Sequence, residues 1–233
     1  LLLSRCDTSV DLIVLPEMFL TGFNVQPLNF HIHPEGEGIE WMQNKARLHH
    51  CFVCGSLTIK ENNHFYNRFY WIDPVGELDY YDKKHLFSMG QEDDAFRHGS
   101  IRKYFVLGDW KILPSVCYDL RFPVWHRNTA GNPYDLLINV ANWPAPRMHV
   151  WDTLLKARAI ENQCFVLGIN RVGQDENGIE YTGGSMLVDP KGEVRINLKE
   201  DQKIAVIDIF RDELLAFRKK FPVLKDADPF RLL

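Results

Sequence analysis

A series of short apolar segments is the feature of this sequence that most restricts its fold. Most have the length of about four to eight residues, rich in Val, Ile, Leu and Phe, that favours buried strands over helices. The predicted strands span residues 12–15, 51–59, 65–72, 112–117, 136–140, 165–169, 184–188 and 204–209. Two turns, at residues 73–77 and 189–193, carry the Pro and Gly that tight turns require, so two hairpins are expected.

Helical patterns lie between these strands. Four helices are predicted. Two span residues 39–51 and 151–163, a third begins near Pro123, and a fourth, shorter helix spans residues 212–220. Strands that alternate with helices, together with hairpins, predict an α/β fold with a mixed sheet. Since no linker, repeat or low-complexity segment interrupts the pattern, we expect residues 1–233 to form a single domain.

The composition is that of an ordinary globular protein and excludes several classes of partner. Hydrophobic residues make up 45% and charged residues 25% of the chain, so a sizeable core is expected. The net charge is -4 and no run of Lys and Arg forms a basic stripe, which argues against nucleic acid as a partner. No apolar stretch reaches the roughly 20 residues that cross a bilayer. Five cysteines without a disulfide-framework spacing agree with a reducing compartment, so we expect a cytoplasmic protein.

Cys117 is the first candidate for chemistry. It ends a predicted strand and stands just before the helix that begins near Pro123, which places its thiol at a tight turn. Free backbone N–H groups at such a turn can stabilise a thiolate and a developing oxyanion. The alternative is a buried structural cysteine, which is the commoner role of an intracellular cysteine.

Glu17 and Lys83 are two further candidates. Glu17 follows the first buried strand, where α/β folds place their ligand crevice, and a partly desolvated carboxylate is a better general base. Lys83 follows the first hairpin, and a lysine beside a nucleophilic cysteine can bind the oxyanion. Taken alone, each residue is more commonly a solvated surface charge.

Three segments together resemble the nitrilase superfamily of carbon–nitrogen hydrolases. They are LPEMFLTGF around Glu17, YDKKHLF around Lys83 and CYDLRFP from Cys117, and they occur in the order that the family has. The resemblance implies a Glu–Lys–Cys triad with Glu17 as general base, Lys83 as oxyanion-binding lysine and Cys117 as nucleophile. Lys83 rather than Lys84 matches the family's spacing, because it stands two residues before His85.

The resemblance also implies a fold and a fourth residue. The family has a four-layer α-β-β-α sandwich with mixed sheets, and we expect its first strand to be missing before Leu12. A second glutamate often contacts the lysine in this family. Glu92 matches it best, although Asp93 and Asp94 stand beside it.

Two stretches resemble the omega-amidase branch, which hydrolyses the terminal amide of 2-oxoglutaramate and related dicarboxylic acid monoamides. They are CYDLRFP and the residues ANWPAPR that begin at Ala141. Trp143 could line the amide pocket, while Arg121 or Arg147 could pair with the distal carboxylate of the substrate. A structural ion pair for Arg121 and a core position for Trp143 are equally good interpretations.

The implied mechanism passes through a thioester on Cys117, with the backbone N–H of Tyr118 and Lys83 binding the oxyanion. It needs an amide and water but no cofactor or metal. Other substrates stay open, among them nitriles, N-carbamoyl amines and other amides, as does a non-catalytic scaffold of the same fold. Members of the superfamily commonly form dimers or larger assemblies, so we expect a homo-oligomer. Cys51 and Cys54 look like half a zinc site but are interpreted as core residues on opposite faces of a strand.

Overall fold

The first of two main sheets has four strands, with a parallel pair at one edge. The fold is that of a computed structural model, which describes residues 9–30 and 36–232. Strand β1 (Leu12–Val14) pairs in parallel with β2 (Phe52–Glu61), and the crossover between them carries α1 (Pro27–Phe30) and α2 (Glu37–His49). Two antiparallel pairings then add β3 (His64–Ile72) and β4 (Leu78–Asp82), which gives the order β1-β2-β3-β4.

The second sheet has six strands with a parallel centre. The remaining strands are β5 (Phe105–Leu107), β6 (Trp110–Val116), β7 (Leu136–Ala141), β8 (Phe165–Asn170), β9 (Val172–Gln174), β10 (Glu180–Thr182), β11 (Met186–Val188) and β12 (Val194–Asn197). The sheet order is β12-β11-β8-β7-β6-β5, and β9 and β10 form a separate antiparallel pair. Strands β6, β7 and β8 run parallel to one another, while the outer pairings are antiparallel.

The remaining helices are short, with one exception. They are α3 (Glu92–Ala95), α4 (Pro123–His126), α5 (Met148–Asn162) and α6 (Arg211–Lys220). Single 3-10 turns lie at Ser88–Gly90, Cys117–Arg121, Ala145–Arg147 and Val223–Asp226. Within residues 9–30 and 36–232, none of the helices combines the length and apolar character that a membrane span needs.

Three hydrophobic clusters define four layers. One cluster lies between the two sheets and joins side chains such as Phe69 of β3 and Ile138 of β7. A second joins α2 to the outer face of the first sheet, and a third joins α5 to the outer face of the second sheet. Gly168 of β8 permits the close approach of α5, because a Cβ there would lie 2.5 Å from Cδ1 of Leu155. The predicted α-β-β-α sandwich with mixed sheets is therefore confirmed.

All predicted strands but one are present, with ends shifted by a few residues. The prediction of a strand at residues 204–209 is wrong: residues 201–210 form no strand, and most of their side chains are exposed. The β-branched composition suits a strand, but a strand also needs a hydrogen-bonded neighbour, and no described strand pairs with this segment. The expected missing strand before Leu12 concerns a part of the chain outside the described residues.

The two cysteines that resemble half a zinc site lie in different parts of the core. Cys54 belongs to the cluster between the sheets, while Cys51 belongs to the cluster under α2. The interpretation of both as core residues on opposite faces is confirmed. Among the described residues, no group of three or more His, Cys, Asp and Glu side chains is arranged to hold a metal ion.

Candidate active site

Polar residues from both sheets meet where four strands end. Glu17 follows β1 and Lys83 follows β4 in the first sheet, while Cys117 follows β6 and Asn142 follows β7 in the second. Strands β6 and β7 are parallel, so their carboxyl ends lie at one edge of the sheet. This is where α/β sheets place their ligand sites, because the loops that leave the strands converge there.

A buried lysine lies between two buried carboxylates. Nζ of Lys83 donates hydrogen bonds to Oε1 of Glu17 at 3.1 Å and to Oε1 and Oε2 of Glu92 at 3.0 and 2.9 Å. Burial alone would lower the pKa of Lys83, but the charges of the two glutamates raise it well above its ordinary value. Lys83 therefore stays an ammonium ion. Lys84 is placed elsewhere, with Nζ 5.6 Å from the ring centroid of Trp125.

Both carboxylates receive further hydrogen bonds from amide groups. Oε1 of Glu17 accepts from Nδ2 of Asn67 at 2.7 Å, and Oε2 accepts from the backbone N of Asn142 at 2.7 Å and from its Nδ2 at 3.2 Å. Glu92 accepts from Nδ2 of Asn67 at 3.2 Å and from the backbone N of Phe87 at 2.7 Å. The site thus supplies the donors that ionised carboxylates need when they leave water.

Glu92 is distinguished from its acidic neighbours by burial. Its side chain is fully buried, whereas Asp93 and Asp94 are exposed. Burial raises the pKa of Glu92, and the charge of Glu17 adds to this rise while the ammonium of Lys83 opposes it. The acid that the structure brings to Lys83 is therefore the one that the family resemblance indicated.

Cys117 directly follows β6 and is the first residue of the next 3-10 turn, where its backbone is strained. Its φ of 43° lies in the left-handed region, which costs a residue with a side chain on the order of 1–3 kcal/mol. The half-buried thiol contacts the backbone O of Asn142, with Sγ at 3.9 Å. Burial raises the pKa of Cys117 well above its ordinary value, and the charge of Glu17 adds to this while Lys83 opposes it. The resting sulfur is thus a thiol, and attack requires a base to take its proton.

Asp119 joins the Cys117 turn to the loop that carries Lys83. Its Oδ2 accepts from the backbone N of Val116 at 3.0 Å and from the hydroxyl of Tyr81 at 2.8 Å. Its Oδ1 lies 2.8 Å from both the backbone N and Nδ1 of His85. Burial alone would raise the pKa of Asp119, but the hydrogen bond and charge of His85 bring it below its ordinary value. His85 thus supports the local structure of this loop.

Two arginines lie over aromatic rings around this region. The guanidinium carbon of Arg147 is 5.3 Å from the ring centroid of Phe87, which itself packs edge-on against Tyr118 at 5.1 Å. The guanidinium carbon of Arg121 is 5.1 Å from the ring centroid of Trp143. Within the described part of the chain, neither arginine has a carboxylate at ion-pair distance, so the structural ion pair considered for Arg121 is not found there.

Trp143 is placed as a core residue. It is 2% exposed, and its Nε1 donates to the backbone O of Arg147 at 2.9 Å. Its ring packs against the guanidinium group of Arg121. Trp143 could therefore affect a substrate pocket only by positioning that arginine. Tyr118 occupies the first turn of the 3-10 segment, where backbone N–H groups have no partner within the turn.

The sequence analysis missed the side chains that hold Glu17. Asn142 lies within a stretch that resembles the omega-amidases but was given no role. Asn67 and Ser56, which donates to Asn67, were given no role either. Asn142 carried a usable signal, because it follows a buried strand in the way that Glu17 does. Ser56 and Asn67 carried none, since polar residues inside strands do not reveal their partners.

The chain is similar to a protein-family model and to several known proteins over most of its length. The family model described as carbon-nitrogen hydrolase matches residues 3–219. The chain is 43% identical over 226 residues to the omega-amidase YafV of Escherichia coli strain K12, covering 97% of this chain and 87% of that protein. It is 35% identical over 219 residues to the 2-oxoglutaramate amidase of Bacillus subtilis strain 168, covering 93% and 84%. Among solved structures, the protein XC1258 of Xanthomonas campestris, a CN-hydrolase superfamily protein with an arsenic adduct in its active site, superposes with a TM-score of 0.96 at 37% identity, covering 100% of this chain and 90% of that one.

The raised pKa of the thiol predicts slow alkylation of Cys117 at neutral pH. Iodoacetamide reacts with the thiolate, so its rate should keep rising up to and beyond the ordinary thiol pKa of about 8.5. Glu17→Gln removes a negative charge beside the sulfur and should increase the rate at each pH below that value. Intact-protein mass measures the rate, and Cys117→Ala identifies the modified residue. A rate that is already constant at about pH 6 to 7 would contradict this account.

Proposed function

Because this chain belongs to the carbon–nitrogen hydrolase family, we propose that it is an omega-amidase, which releases ammonia from 2-oxoglutaramate and related monoamides of dicarboxylic acids. The observation that carries the proposal is the buried Glu17–Lys83–Glu92 cluster beside the Cys117 turn. Relatives named omega-amidase and 2-oxoglutaramate amidase support the substrate class.

The first half-reaction forms a thioester. Glu17 accepts the proton of Cys117 as sulfur attacks the amide carbonyl carbon, which produces a tetrahedral oxyanion. The ammonium of Lys83 and the backbone N–H of Tyr118 stabilise that oxyanion. Protonated Glu17 then gives its proton to the leaving nitrogen, and ammonia departs as the carbon–nitrogen bond breaks.

The second half-reaction releases the acid. A water molecule gives a proton to Glu17 and attacks the thioester carbonyl, and the new oxyanion occupies the same position. Its collapse breaks the carbon–sulfur bond, and the proton on Glu17 returns to the sulfur of Cys117. Glu92 keeps Lys83 charged and oriented through both half-reactions. Each step uses side chains, backbone N–H groups and water.

Loss of the thiol should abolish turnover. Cys117→Ala should lower ammonia release from 2-oxoglutaramate by at least about 10³-fold, because the covalent route is removed. Cys54→Ala, a matched change in the core between the sheets, should keep most of the activity. Normal turnover by Cys117→Ala would exclude this cysteine as the nucleophile.

A panel of substrates separates the alternatives within the same experiment. Nitriles, N-carbamoyl amines and uncharged amides are compared with 2-oxoglutaramate, and acylation of the wild-type protein is followed by intact mass. Faster turnover of any other class would reassign the substrate. Failure of every amide and nitrile to acylate Cys117 would favour a non-catalytic scaffold.

Recognition of the substrate's distal carboxylate is proposed for Arg121 or Arg147. A charge-assisted hydrogen bond contributes about 1.5–3 kcal/mol, or roughly 10- to 100-fold in binding. Arg121→Gln or Arg147→Gln should therefore raise KM for 2-oxoglutaramate by that factor while leaving KM for an uncharged short amide nearly unchanged. Arg47→Gln, on the exposed side of α2, is the control. Equal losses on both substrates would indicate a structural role.

The proposal includes a homodimer or larger homo-oligomer in the cytoplasm. Phe221 and Phe230 are 57% and 40% exposed, and such apolar surface suits a contact between copies. Cys54, Cys117 and Cys164 are outside disulfides, which supports a reducing compartment. Sedimentation velocity should give at least twice the single-chain mass of 27.2 kDa, and a species of that single-chain mass would contradict the oligomer.

A further inference from the structure

Asn67 contacts both carboxylates of the site through one amide nitrogen. Its Nδ2 lies 2.7 Å from Oε1 of Glu17 and 3.2 Å from Oε1 of Glu92, the same two oxygens that bind Lys83. Asn67 is fully buried in β3, and its backbone O accepts from the backbone N of Lys83 at 3.0 Å. The residue therefore touches all three members of the ion cluster.

Ser56 sets the orientation of that amide. The backbone N of Met18 donates to Oγ of Ser56 at 3.0 Å, so the hydroxyl is available to donate its own hydrogen to Oδ1 of Asn67, at 2.8 Å. Because Oδ1 faces a donor, Nδ2 must face the carboxylates. Met18 directly follows Glu17, so these hydrogen bonds close a ring that starts and ends at the proposed general base.

The charges of the cluster explain why a neutral donor is needed. Two carboxylates surround one ammonium, and the titratable groups that interact electrostatically with Glu17 are Lys83, Glu92, Cys117 and, more weakly, Tyr181 of β10. Lys83 divides its donors between both carboxylates, and the proposed function needs it to bind the oxyanion as well. Two carboxylates that share a site normally retain a proton between them. The Asn67 amide adds one donor to each carboxylate and introduces no further charge.

We propose that Asn67, oriented by Ser56, is a positioning residue: it bridges Glu17 and Glu92, gives the charged form of this carboxylate pair a hydrogen-bond donor, and keeps Glu17 aligned to accept the Cys117 proton. The inference rests on the proposed function for the role of Glu17 as base. Asn67 touches neither the sulfur nor the carbonyl carbon, and it acts only through Glu17.

The test compares Asn67→Asp and Asn67→Ala with the wild-type protein across pH. Asn67→Asp adds a third carboxylate of nearly the same shape, which favours a proton on the cluster. The acid limb of kcat/KM for 2-oxoglutaramate should therefore move to higher pH by about one unit or more. Asn67→Ala should move it in the same direction by less. In both variants kcat should fall more than KM changes.

A readout without turnover separates this inference from the proposed function. The rate of Cys117 alkylation by iodoacetamide needs no amide substrate, and the added charge in Asn67→Asp should shift its rise to higher pH. Asn162→Asp, which places the same change at the buried end of α5, is the control and should leave both profiles unchanged. If the wild-type protein turns over no amide but Asn67→Asp still shifts the pH profile of Cys117 alkylation, the proposed function is wrong while the proposed role of Asn67 is supported.

If the Asn67→Asp and Asn67→Ala proteins fold and both keep the wild-type pH profiles, the inference is overturned, because a purely structural role for Asn67 predicts unchanged profiles. Should the Asn67 variants fail to fold, Ser56→Ala decides the question. It removes only the hydroxyl that orients the amide, so it should shift the alkylation profile in the same direction. A folded Ser56→Ala with both wild-type profiles would equally overturn the proposal.

Discussion

An ammonium ion held between two carboxylates, all out of contact with water, is the constraint on which the rest of the site depends. Removing ions from water is costly, and a buried ion pair breaks even only when its remaining hydrogen-bonding groups are satisfied. This requirement is met here because Asn67 donates to both Glu17 and Glu92, and the backbone N of Asn142 donates to Glu17. Losing one partner of such a pair typically costs about 3–5 kcal/mol, so the cluster restrains the fold as well as the proposed chemistry.

Most strands, two hairpins and three site residues could be predicted from the sequence because each has a local signal. Short β-branched segments indicated most strands, and Pro and Gly located the β3–β4 and β11–β12 hairpins. Glu17, Lys83 and Cys117 were indicated by their motifs, and the structure brings Glu17 and Lys83 into direct contact. The four-layer sandwich came from the family resemblance, since alternation of elements alone predicted only an α/β class with a mixed sheet.

The features that could not be predicted depend on contacts between distant segments. The partners of Glu17 lie 50 and 125 positions away along the chain, and no local pattern reveals such pairs. Glu92 was selected through the family resemblance alone, because the burial that separates it from Asp93 and Asp94 has no local sequence signal. The segment at residues 204–209 shows the opposite failure, because its composition suits a strand while strand formation depends on a neighbour elsewhere in the chain.

The division of the site between two sheets has a mechanical consequence. Glu17 and Lys83 follow strands of one sheet, whereas Cys117 and Asn142 follow strands of the other, so the distance from the proposed base to the proposed nucleophile depends on the spacing of the layers. That spacing is set by side chains such as Phe69 and Ile138 in the cluster between the sheets. Protein interiors are close-packed and transmit small displacements rather than absorbing them. The hydrophobic core of the sandwich therefore acts as a spacer, and its packing sets the distance over which the proposed proton transfer would take place.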